Sequence, residues 1–115
     1  LDQDRVFYAH QIRGPGASSD WIDRVVELLT EKVYLTIDVD CFDSSLVPAT
    51  GTPEPGGLDW YQVDALLEQV SLNREVVGFD VVELLPTPGQ WASDFLVAKL
   101  IYRFLGRIFS GAKTD

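Results

Sequence analysis

Asp38, Asp40 and Asp43 fall within the six residues DVDCFD, separated by two residues from the apolar run Val33-Tyr34-Leu35. Carboxylates are hard oxygen donors, suited to Mg²⁺, Ca²⁺ or Mn²⁺ rather than to a soft metal. On an extended segment, residues i and i+2 face the same side, so Asp38 and Asp40 are expected to crowd two like charges together. Such crowding at the end of an apolar strand is costly unless a cation or a proton compensates. The bland alternative is a solvated loop entrance with Asp43 capping a turn. A further acid, Glu83, ends a second apolar run, GFDVVEL, and the stretch VPATGTPEPGG carries Thr52 between the two. The remaining candidates read as structural. His10 has no partner motif, Cys41 follows Asp40 on the other face, Asp80 faces away from Glu83 and suits a packing or supporting hydrogen bond, and Glu54 suits loop solvation.

The elements that must position these residues follow from periodicity. Arg5 to His10 reads as a short strand. Trp21, Ile22, Val25, Val26, Leu28 and Leu29 recur at helical spacing from Asp20 to about Glu31. Val33 to Asp38 is β-branched and aromatic, a buried strand. Prolines and glycines make Cys41 to Leu58 irregular, with Gly51, Gly56 and Gly57 expected at positive φ. Asp59 reads as an N-cap with Gln62 as its capping-box partner, opening a helix through Val70. Glu75 to Leu84 is a third strand. Trp91 to Phe109 is a last helix whose apolar residues cover more than one stripe, so it is expected to be buried on two sides. Strands alternating with helices predict an α/β fold with parallel pairing. In such sheets ligands gather at the carboxyl ends of the strands, where Asp38, Asp40, Glu83 and the Pro/Gly loop all lie. Three strands are few for a sheet that usually has both faces covered.

The chain has 115 residues, 46% of them hydrophobic, and a net charge of −9. It offers no Lys/Arg cluster to replace phosphate counterions, so a nucleic-acid partner is not expected. No run of about 18 apolar residues is present, so neither is a membrane partner. One cysteine rules out an internal disulfide framework and a Cys-rich zinc site, and it fits a reducing, cytoplasmic compartment. A chain that starts Leu1-Asp2 and contains no methionine reads as a piece of a longer protein.

The segment LTIDVDCFDSSLVPATGTPEPGGL, together with GFDVVELLP and PGQWASDFLVAKLIY, closely resembles the ureohydrolases, the family of arginase and agmatinase, and its agmatinase-like branch most of all. The resemblance runs from about Val33 to Gly106 and implies the C-terminal part of a single three-layer α/β/α parallel-sheet domain spanning residues 1–115. It implies hydrolysis of a guanidino compound, agmatine first among them, to urea and an amine at a binuclear manganese centre. Arginase and guanidinobutyrase are alternatives within the family, and a non-catalytic metal-binding or interaction fragment is the alternative outside it. Asp38 would bridge two Mn²⁺ ions and Asp40 would bind one of them. Glu83 would pair with the substrate guanidinium, and the Thr52 hydroxyl would support that end of the pocket. The family's motifs G-G-D-H and D-A-H-x-D and its later histidine loop have no counterpart here, so the catalytic residues proper are not assigned, and the piece alone is expected to be inactive. Ser44 stands where the family usually has proline, implying a slightly looser turn. The resemblance also implies a homo-oligomer, trimer or hexamer, and a place in polyamine metabolism.

Overall fold

The computed structural model describes residues 2–110. A 3-10 turn at Gln3–Arg5 and a short helix α1 (Ala9–Arg13) are followed by α2 (Trp21–Leu28) and strand β1 (Lys32–Asp38). A second 3-10 turn at Val39–Cys41 leads through a long loop to α3 (Trp60–Asn73), β2 (Glu75–Val82) and α4 (Trp91–Phe109). The strands pair in parallel, with Thr36 opposite Asp80 and Asp38 opposite Val82. This β-α-β unit is what the alternation of periods in the sequence predicts.

Packing is one-sided. Ile37 of β1 buries against Val63 and Leu67 of α3 and against Val97, Leu100 and Phe104 of α4, with Phe79 and Val81 of β2 packed alongside. Val33 joins Val26 of α2 and Val70 of α3 in a smaller cluster. The opposite sheet face carries Tyr34, Thr36, Gly78, Asp80 and Val82 and has no helix over it among the described residues; Tyr34 is 61% exposed there. The Asp59 carboxylate accepts from the Gln62 amide at 2.9 Å while the Asp59 amide donates to the Gln62 side chain at 3.0 Å, the expected capping box. Asp64, buried on α3, accepts from Arg103 (3.0 and 2.9 Å) and Arg107 (2.6 and 2.9 Å) of α4, which clamps the two helices together.

Four expectations are corrected. Arg5 to His10 forms no strand. Val6 and Tyr8 have extended backbone, but no neighbouring strand takes their hydrogen bonds among the described residues, and the chain coils into α1 from Ala9, carrying His10 on a helix stacked against Tyr8. Two strands therefore form the sheet rather than three. α2 stops at Leu28, because Leu29 is extended on the way into β1. α4 buries one side only, through Ser93, Val97, Leu100 and Phe104, while Trp91, Phe95, Tyr102, Leu105 and Phe109 stay exposed.

A carboxylate cluster at the strand ends

β1 delivers Asp38 at its carboxyl end. There the chain does not continue as a strand: Asp38 Oδ1 accepts from the Asp40 amide at 3.1 Å and caps the 3-10 turn that follows. The pair is thus brought together by a capped turn and not by strand alternation, which corrects the expected geometry. Val39, between them, is fully buried and anchors the turn.

The Pro/Gly loop folds back over this turn. Asp43 and Leu58 are joined by an amide-to-carbonyl bond of 2.9 Å, and Leu58 returns one of 2.8 Å to Cys41. A Cβ on Gly57 would meet the Asp43 amide and Phe42 carbonyl at 2.5 Å, so only glycine permits this approach. Of the three glycines expected at positive φ, Gly56 alone adopts it; Gly57 serves close approach, and Gly51 needs neither. Asp43 caps the loop rather than facing the acids. Its carboxylate accepts from the Ser45 hydroxyl, the Ser45 amide (3.0 Å) and the Gly56 amide (2.8 Å). The Ser45 hydroxyl first, then these amides, hold its pKa at about 2. Ser44, where the family usually has proline, donates its amide to the Glu54 carbonyl at 3.2 Å, a bond proline could not make. Arg13 of α1 donates to the Gly57 carbonyl, tying the N-terminal helix to the same loop.

Thr52 then comes alongside Asp40 and donates its hydroxyl to Oδ2 at 2.9 Å. The loop just before it is strapped to the segment after β2. The Leu85 amide donates to the Ala49 carbonyl at 2.9 Å, and Thr50 bridges Leu84. Glu83 lies one residue past Val82, the register partner of Asp38, and a Cβ on Gly51 would stand 4.0 Å from its Oε2. Glu83 itself has φ +68°, the left-handed region that side chains rarely adopt. It is therefore off the strand, and period-two reasoning relative to Asp80 does not apply to it. Asp80 takes the packing hydrogen bonds expected of it, accepting from Tyr34 (3.0 Å) and Thr36 (3.4 Å), and this contact raises the Tyr34 pKa.

Asp38, Asp40, Thr52 and Glu83 thus meet at one corner. Among the described residues neither Asp38 nor Asp40 is paired with a lysine or arginine. Each has one oxygen engaged by a hydrogen bond and one left over. That donor set fits a hard divalent cation in part only, because no group of three metal-ligating side chains occurs among the described residues. Cys41, next to Asp40, is an inert neighbour: burial, then the Asp38 and Asp40 charges, push its thiol up to about 11. One contributor carried no sequence signal. Ser93 of α4, fully buried, accepts from the Ala49 amide at 3.4 Å through its hydroxyl and so helps place the loop.

Residues 3–106 match the Arginase family. The chain belongs to the arginase family. The chain is 44% identical over 101 residues to N(1)-aminopropylagmatine ureohydrolase of Thermus thermophilus, covering 88% of this chain and 33% of that protein. It is 39% identical over 102 residues to the enzyme of the same name from Synechocystis, covering 88% of this chain and 32% of that one. The crystal structure of agmatine ureohydrolase of Thermoplasma volcanium superposes with a TM-score of 0.67 at 35% identity, covering 78% of this chain and 31% of that chain. This chain is an α/β fragment of the arginase fold and spans about a third of the length of these relatives. Of the three expected layers, its described residues supply the sheet and one helix layer.

Proposed function

We propose that this chain is the C-terminal part of an enzyme that hydrolyses a guanidino compound to urea and an amine with two Mn²⁺ ions. The observation that carries the reading is the corner where Asp38 and Asp40, free of cationic partners among the described residues, meet the loop that reaches Glu83. In this reading Asp38 would help hold both ions and Asp40 one of them, and each keeps an oxygen that its hydrogen bond leaves over. What the ions supply when bound is a nucleophilic water at neutral pH, needed because a guanidinium is a resonance-stabilised, poor electrophile. Glu83 meets the planar cation by charge-assisted hydrogen bonds and orients it. The other ligands and the proton-transferring groups belong to the part of the relatives that this chain does not span.

Agmatine is the substrate proposed first. N(1)-aminopropylagmatine is the second, favoured by the names of the Thermus and Synechocystis relatives. Both present the same guanidinobutyl end to Glu83 and differ at the far end. The exposed stripe of α4 supports a homo-oligomeric assembly of the complete protein. The test is urea release by the full-length protein with Mn²⁺ on agmatine, N(1)-aminopropylagmatine, arginine and 4-guanidinobutyrate. Turnover of one of the first two is expected. Release from none of the four sinks the proposal.

A further inference from the structure

We infer that Thr52 is a positioning residue acting through Asp40, and not primarily a contact for the substrate; this rests on the functional reading above. The hydroxyl has one proton, and it is given to Asp40 Oδ2 at 2.9 Å. A carboxylate held by one oxygen has its rotation about the Cβ–Cγ bond fixed and presents the other oxygen alone, so Asp40 meets a cation through Oδ1 in a set direction. Without that bond both oxygens are available and the group turns freely, at an entropic cost on ligation. Partners of this kind, one shell out from the ion, commonly alter metal affinity by about 10- to 100-fold.

The placement of Thr52 is not incidental to the fold. Ala49 is bonded through its amide to the buried Ser93 hydroxyl and through its carbonyl to the Leu85 amide, and Thr50 bridges Leu84. From this anchored point the chain runs past Glu83 at Gly51 and reaches Asp40 at Thr52. One short loop therefore fixes the orientation of a cation ligand while its previous residue flanks the carboxylate assigned to the guanidinium. Thr52 is itself exposed, so removing its hydroxyl leaves the core intact.

The test compares the wild-type full-length protein with Thr52→Val and Thr52→Ser, titrated with Mn²⁺ and followed by the electron paramagnetic resonance of the free ion. Thr52→Val is expected to weaken Mn²⁺ binding by about 10-fold or more, with the melting temperature of the metal-free protein unchanged, and Thr52→Ser to restore the affinity. Wild-type Mn²⁺ affinity in Thr52→Val with a raised KM would identify a substrate contact and overturn the inference. Wild-type affinity with unchanged KM would overturn it too. A wild-type protein that takes up no Mn²⁺ defeats the functional reading itself, and this inference with it.

Discussion

In the proposed reading Glu83 concentrates the tension between stability and function in a single residue. Its φ of +68° places a charged side chain with a Cβ where glycine is at ease, at a cost of about 1 kcal/mol or more. Glu83→Gly is therefore expected to raise the free energy of unfolding by about 1 kcal/mol in a urea titration while abolishing guanidino-substrate binding. Glu83→Gln keeps the strain and should lose binding without any gain in stability; equal stability of the two variants would refute the strain argument. Much at this scale is visible in the sequence. The acids Asp38, Asp40 and Glu83 stand out because apolar strands seldom end in unpaired charge. The strain at Glu83 is not visible, since nothing in GFDVVEL says that the strand stops at Val82. Nor is the hydroxyl bond from Thr52 to Asp40, which depends on how a 12-residue separation folds back on itself.

Among elements, the junction of α3 and α4 rests on more than apolar contact. Burial alone would push the Asp64 carboxyl up, but hydrogen bonds from Arg103 and Arg107 outweigh it and hold its pKa below the ordinary value. Removing the carboxylate takes from Arg107, only 18% exposed in its side chain, its two shortest charged contacts and leaves it the Asp64 carbonyl at 2.8 Å and Glu68 at 3.6 Å. Asp64→Ala is expected to destabilise the fold by about 2 kcal/mol, read as a lower denaturant midpoint at unchanged slope. A change below about 0.5 kcal/mol would reduce the clamp to an ordinary surface pair. Helix α3 is legible from its cap and its apolar spacing, whereas this clamp is not, because Asp64 reads as one more polar position on an amphipathic helix. The strand expected at Arg5 to His10 fails for a related reason. Strand character depends on a neighbour to pair with, and Val6, Phe7 and Tyr8 state a preference that no local pattern can fulfil.

At the scale of the whole molecule, the described residues supply one layer of helices over the sheet and hold no group of three metal-ligating side chains. The isolated 115-residue chain is accordingly expected to bind Mn²⁺ weakly and to release no urea from agmatine. Turnover by the isolated chain would show that the corner described here is a complete site. A last consequence follows from the register of the sheet. Thr36 and Asp80 face each other at a separation of 44 positions along the chain. Not one rung between the strands can form until that whole length has closed, so contact order is high and folding is correspondingly slow. A ribosome making this polypeptide must finish α3, β2 and α4 before Ile37 of β1 is fully covered, and during that interval the nascent strand is open to chaperones and to aggregation.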